Sequence, residues 1–275
     1  MLKLEVKNIS LSYNHHAVVK GLSFALRPGE LVGLIGPNGC GKTSIIKALS
    51  RILPPVSGEI VLDERPLNLI SRHSLARRIG VVPQNANLPE TFTVSEVVLL
   101  GRVPHLGFLR TESARDLAIA SWAMERTGIS SLSARKIGEL SGGERQRVTI
   151  ARVLAQEPES ILLDEPTANL DINHQVEILD LIKSLCREKN IAVLIALHDL
   201  NIAAQYCDRL ILIKAGQLHA EGLPGEVITA ENIKEVYGAE NYVYPHPKNN
   251  LPVVLPISNH NKYNGNKNKG LENPP

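Results

Sequence analysis

The sequence predicts an α/β fold with a largely parallel sheet. Short apolar runs alternate with stretches of helical periodicity along most of the chain. A glycine-rich loop lies between one such run and one such helix. Two later apolar runs end on polar side chains, one on Asp164 and Glu165 and the other on His198.

Residues 2–7 alternate apolar and charged (Leu2, Leu4, Val6 against Lys3, Glu5, Lys7), the pattern of a half-buried strand. Residues 18–26 read as a second strand, closed by the turn Arg27-Pro28-Gly29-Glu30. Leu31-Val32-Gly33-Leu34-Ile35 is a buried strand, and Ser44-Ile45-Ile46-Lys47-Ala48-Leu49 carries apolar residues at helical spacing. Between them, Gly36-Pro37-Asn38-Gly39-Cys40-Gly41-Lys42-Thr43 matches the P-loop pattern G-x-x-x-x-G-K-[ST] in the strand–loop–helix context that the pattern requires. Glycines let backbone approach a ligand without Cβ clashes, and N–H groups at a helix start attract phosphate oxygens. Lys42 is placed to reach the β- and γ-phosphates, and the Thr43 hydroxyl to bind Mg²⁺. Ser44 is counted with this nucleotide-binding set. Cys40 reads as a small space-filler and not a redox centre.

Leu53-Pro54-Pro55-Val56-Ser57-Gly58 breaks the chain before a short strand at 59–62, and Val81-Val82 ends another strand leading to Gln84. The character then changes. Residues 93–102 and 112–127 read as helices joined by a loop at 103–108, and Leu140-Ser141-Gly142-Gly143-Glu144 opens a helix to about 156. Residues 85–156 are therefore read as a helical lobe inserted in the α/β core. The two glycines expose N–H groups at a helix start beside a Ser hydroxyl. That is either a second phosphate site or an ordinary Ser N-cap. As a phosphate site it implies a nucleotide held between two surfaces. The strand at 161–165 ends in Asp164, suited to Mg²⁺, and Glu165, suited to act as general base on water. An amphipathic helix at 173–189, an apolar strand at 191–197 and a hairpin at 209–221 turning at Ala215-Gly216 complete the core. His198, at the end of a strand in the same sheet, is placed to reach the γ-phosphate. Residues 251–256 read as extended.

The composition limits the function. The chain has 275 residues, is 43% hydrophobic and carries a net charge of +2, which gives no indication of nucleic acid or an anionic membrane surface as partner. Cys40, Cys186 and Cys207 lack metal-ligand spacing and indicate a reduced compartment. No signal peptide is expected, and no apolar run approaches the roughly 18 residues of a spanning helix. Residues 258–275 hold six Asn and three Lys and are expected to be a disordered tail after a domain at 1–257.

Taken together, these residues resemble the ATP-binding subunits of ABC transporters over roughly residues 2–255. Residues 36–43 match the Walker A loop, Gln84 the Q-loop, and Ser141, Gly142, Gly143 and Glu144 the signature. Residues 161–164 match Walker B, with Glu165 as catalytic base. Residues 168–171 match the D-loop, including Asp171, and His198 the switch histidine. Tyr13 matches the aromatic residue that stacks on adenine. The resemblance implies a P-loop NTPase core with a mixed sheet, an antiparallel β subdomain and the inserted helical lobe. It implies ATP and Mg²⁺, with Thr43, Gln84 and Asp164 around the metal and Glu165, His198 and Gln84 in catalysis. It also implies a head-to-tail homodimer at the cytoplasmic face of the membrane, coupled to transmembrane permease subunits, indirectly to a substrate-binding protein, and to no nucleic acid. The stretches 93–105 and 197–201 look like the subgroup that takes up iron–siderophore complexes, haem and cobalamin. Arg102 and His105 select no substrate by their own chemistry, and the plain reading puts both in a polar loop. The alternative class is a soluble ABC-type ATPase acting on DNA or ribosomes. Against it, only about a hundred residues separate Walker A from the signature, with no sustained heptads, and there is one cassette.

Overall fold

The computed structural model describes residues 4–14, 16–106, 111–168 and 170–257. Asn169 of the D-loop stretch and the expected tail at 258–275 lie outside the described residues. In chain order the elements are β1 (Leu4–Tyr13), β2 (His16–Leu26), β3 (Leu31–Ile35), α1 (Lys42–Leu49), β4 (Ser57–Leu62), β5 (Arg65–Pro66), α2 (Arg72–Arg78), β6 (Ile79–Val82), α3 (Val94–Leu99), α4 (Ala114–Arg126), α5 (Gly142–Ala155), β7 (Ser160–Asp164), α6 (Ile172–Glu188), β8 (Ala192–Ala196), α7 (Leu200–Tyr206), β9 (Arg209–Lys214), β10 (Gln217–Gly222), α8 (Pro224–Val227), α9 (Ala230–Tyr237), β11 (Asn241–Pro245) and β12 (Pro252–Pro256).

The main sheet has the order β10-β9-β3-β8-β7-β6. Strands β9, β3, β8, β7 and β6 run parallel, and β10 is antiparallel to β9, so the sheet is mixed. β3, β7 and β8 are buried at every position, as expected of parallel strands covered on both faces. Alternate side chains enter different cores. Leu31 and Ile35 join a large cluster with α5 and α6, whereas Val32 and Leu34 join a second cluster with α1 and the antiparallel sheet. That second sheet has the order β2-β1-β4-β5.

β1 continues well past the alternation at 2–7. Asn8 adopts a left-handed backbone (φ 50), and the pairing with β2 shifts register between Val6 and Ile9. This irregularity breaks the two-residue period without ending the strand. The β9–β10 turn is at Ala215 and Gly216, both at positive φ, as a two-residue hairpin of primed type requires. Asp164 is the last residue of β7, and Glu165 belongs to the turn that follows it.

Among the described residues α3, α4 and α5 lie between β6 and β7, and each begins with a capping box: Thr93 with Glu96, Ser113 with Asp116, and Ser141 with Glu144. α3 gives way to a 3-10 turn at Leu100–His105. The polar-loop reading of Arg102 and His105 is corrected here. Arg102 is only 3% exposed. Its guanidinium donates to Asp116 Oδ1 at 2.9 Å, Ala155 O at 2.7 Å and Glu157 Oε2 at 2.8 Å. His105 Nε2 contacts Gln156 O at 2.8 Å. The Asp116 carboxyl lies far below the usual carboxylate range because Ser113 donates both its hydroxyl and its amide to it, with Arg102 adding to the effect. The segment thus ties α3 and α4 to the C-terminal end of α5.

Replacing Arg102 with Ala removes the charged partner of Asp116, which keeps its two Ser113 bonds, and leaves Ala155 O without its donor; it is expected to destabilise the protein by about 1–3 kcal/mol. Urea denaturation of the variant and parent chains measures this directly.

Candidate active site

The loop at 36–43 is shaped by steric necessity. Gly36 has φ 150, and a Cβ there would stand 2.4 Å from Ile213 O on the neighbouring strand. Gly39 (φ 77) and Gly41 (φ 108) are left-handed, and a Cβ on Gly39 would meet nothing within 4 Å. The loop therefore presses against the sheet at Gly36 and faces open space at Gly39. Gly41 caps α1 without a side-chain hydrogen bond, and no acidic residue occupies the first turn. Such a helix start leaves N–H groups for an anion. Lys42 is 5% exposed. Its Nζ donates to Gly36 O at 2.8 Å and Pro37 O at 3.3 Å, which holds the cation over its own loop.

Opposite this cation stand two carboxylates with different surroundings. Thr43 Oγ1 donates to Asp164 Oδ1 at 3.1 Å. Burial pushes the Asp164 carboxyl upward, and the Thr43 bond opposes that shift. Glu165 adopts a left-handed backbone (φ 51), and its N–H donates to Ala196 O at 3.2 Å. Its carboxylate accepts from Gln84 Nε2 at 2.7 Å and lies 2.5 Å from His198 Nε2. A carboxylate gripped from two sides is fixed in direction, as a general base must be.

A cleft of about 440 Å³ joins these groups, lined by Tyr13, Val18, Asn38, Gly39, Gly41, Lys42, Thr43, Ser44, Gln84, Glu165 and His198. Its size suits a nucleotide-scale ligand. Tyr13 is 41% exposed and offers an aromatic edge beside Val18. Cys40 is buried with its Sγ 2.8 Å from the position of a Cβ on Gly36. Burial pushes its thiol upward, keeping it protonated and inert. A magnesium nucleotide suits this donor set. Thr43 and Asp164 supply hard oxygen ligands, and open backbone at Gly39 leaves room for phosphates. Among the described residues no cluster of three or more His, Cys, Asp or Glu makes a protein-only metal cage. Mg²⁺ held largely by phosphates and water needs none.

The remaining sequence-predicted residues lie apart. Ser141, Gly142, Gly143, Glu144 and Asp171 do not line the cleft. Ser141 caps α5: its Oγ accepts the Glu144 N–H at 3.3 Å, and Glu144 Oε2 accepts the Ser141 N–H at 2.7 Å. The Ser141 amide, with its hydroxyl adding to the effect, holds the Glu144 carboxyl below its usual range. Asp171 caps α6 by accepting the His174 N–H at 3.0 Å. Sequence reasoning missed Val18, whose only signal is its nearness to Tyr13 across the β1–β2 hairpin. It also missed His174, which no motif marks.

The ABC transporter family profile matches residues 19–168. The ferric enterobactin transport ATP-binding protein FepC of Escherichia coli is 39% identical over 255 residues, covering 93% of this chain and 94% of its own. The hemin import ATP-binding protein HmuV of Pseudomonas aeruginosa is 42% identical over 257 residues, covering 92% and 99%. A dimeric structure of a bacterial ABC transporter cassette superposes with a TM-score of 0.72 at 29% identity, over 80% of this chain and 98% of that one.

Replacing Lys42 with Ala removes a buried cation from the cleft. ATP affinity is expected to fall at least about 100-fold, the worth of a charge-assisted contact of ~3 kcal/mol. Isothermal titration with ATP measures the loss.

Proposed function

The chain belongs to the ABC transporter family and is an ATPase, and from that premise we propose that it is the energy-coupling subunit of an importer for metal chelates of the iron–siderophore, haem or cobalamin type. The names of FepC and HmuV support the importer reading. The relatives give no support to the alternative of an ATPase acting on DNA or ribosomes.

The observation that supports the mechanism is the separation of the cleft from the exposed helix start at Ser141. One chain supplies the cleft, while its exposed signature, Ser141 and Gly142, lies elsewhere. A head-to-tail homodimer brings the signature of one copy over the cleft of the other, and the existence of a dimeric cassette among the similar structures supports a two-copy reading. Tyr13 and Val18 then receive the adenine. The amides of residues 36–44 and Lys42 receive the phosphates. Thr43, Asp164 and Gln84 would hold Mg²⁺, which when bound would supply charge neutralisation to the triphosphate. Glu165 takes a proton from water as the water oxygen bonds to the γ-phosphorus, and the bond to the ADP oxygen breaks. His198 steadies Glu165 and reaches toward the γ-phosphate.

Residues 1–257 form the ATPase domain in this reading. The lobe within 85–156 and the Gln84 loop receive the permease subunits, which a substrate-binding protein serves from the far side. Among the described residues no helix is long and apolar enough to cross a membrane. The chain acts as a peripheral subunit on the cytoplasmic face.

Glu165→Gln is expected to keep ATP binding, lower turnover by at least about 100-fold, and accumulate as an ATP-dependent dimer. Phosphate release and size-exclusion light scattering test both halves. Near-normal turnover would remove Glu165 from the role of base.

A further inference from the structure

The start of α5 is covered on one side and bare on the other. A Cβ on Gly142 would meet nothing within 4 Å. A Cβ on Gly143 would meet the His174 ring, at 3.2 Å from Cδ2, 3.5 Å from Cγ and 3.6 Å from Nε2. Three ring atoms at nearly equal distance mean that the imidazole lies across Gly143. The same ring is steered from its other edge, where Nδ1 donates to Asp171 Oδ2 at 2.7 Å. Asp171 Oδ1 also accepts the His174 N–H at 3.0 Å, so one carboxylate fixes both the backbone and the ring.

His174 is not a core residue, since its side chain is 45% exposed. Its contacts instead join two helix starts, the signature turn of α5 and the Asp171 cap of α6. The next tie between these helices, Arg147 with Glu177, lies about one turn further along. The charged groups facing the ring are Asp171 on its own helix and Glu144 on α5, with Arg135 beside Glu144.

We propose that His174 is a positioning residue for the ATPase reaction: it locks the signature turn to the Asp171 cap, so that both meet the ATP on the other copy as one rigid surface. The inference rests on the two-copy site proposed above. A helix start that drifts by an ångström loses much of its hold on a phosphate, because such placement is worth on the order of 100-fold in rate. The glycine at 143 gives the ring a flat seat, and the bond to Asp171 keeps it there.

The test uses the full-length chain carrying Glu165→Gln, with and without His174→Ala. Two quantities are read: ATP affinity of the monomer at low protein concentration, and the ATP concentration that half-saturates dimer formation in the ultracentrifuge. His174→Ala is expected to leave the first unchanged and raise the second about fivefold or more. His174→Gln has a side-chain N–H for Asp171 and enough reach to lie over Gly143, and is expected to recover most of the loss. A role in capping α6 alone would lower the melting temperature and leave both ATP titrations unmoved, which would overturn the inference. Equal losses in monomer affinity and dimer formation would overturn it as well. Absence of an ATP-driven dimer even with His174 intact would instead strike the two-copy reading, and the inference would fall with it.

Discussion

Parallel pairing in the main sheet is the constraint on which the site depends. Asp164 and Leu34 both register with Ala196, and Val82 registers with Leu163. These pairings bring the C-terminal ends of β3, β8, β7 and β6 to one edge of the sheet. The loop at 36–43, His198, Asp164 with Glu165, and Gln84 follow those four ends in turn. No long-range contact has to be designed for each residue separately. Burying apolar strands on both faces aligns them, and the chemistry occupies the crevice beyond strand ends where ligands bind in open α/β sheets.

Local choices then separate the roles of neighbouring groups. Asp164 ends its strand with an extended backbone and stays beside Thr43, whereas Glu165 turns left-handed at the next residue and swings toward Gln84 and His198. One step along the chain thus separates the carboxylate beside Thr43 from the carboxylate gripped by Gln84 and His198, the division that the proposed metal-binding and base roles require. A non-glycine residue in that region is strained by about 1–3 kcal/mol, which the rigid sheet beneath it overcomes. Lys42 shows a related economy. Its ammonium is already desolvated and held by two loop carbonyls, so a phosphate meets a cation with little freedom left to lose.

The sequence was most legible where burial or backbone chemistry leaves a local mark. β3, β7 and β8 carry short buried apolar runs, and the glycines of residues 36–43 stand where the backbone needs them: a Cβ at Gly36 would press on Ile213 O, and Gly39 and Gly41 take positive φ. α2, α7, α9 and β11 went unread, being five to eight residues long with too few turns or alternations to show a period. The plain polar-loop reading of Arg102 fails because nothing local in the sequence marks its burial. Its burial comes from Asp116 and Glu157, distant in sequence. His174 left no trace because its meaning lies in a contact with Gly143 across thirty-one positions, and periodicity does not report such contacts. Its place in the first turn of an amphipathic helix made it look like any polar surface residue.

The two-copy arrangement is the central claim, because one chain holds both a phosphate cradle and an exposed helix start that does not reach it. An experimental structure of the Glu165→Gln chain loaded with ATP and magnesium is the most direct measurement. The account predicts that the Ser141 hydroxyl and Gly143 amide of one copy lie within hydrogen-bond distance of the γ-phosphate held by Lys42 of the other. A structure in which each triphosphate is enclosed by a single chain, with Ser141 facing solvent, would contradict it.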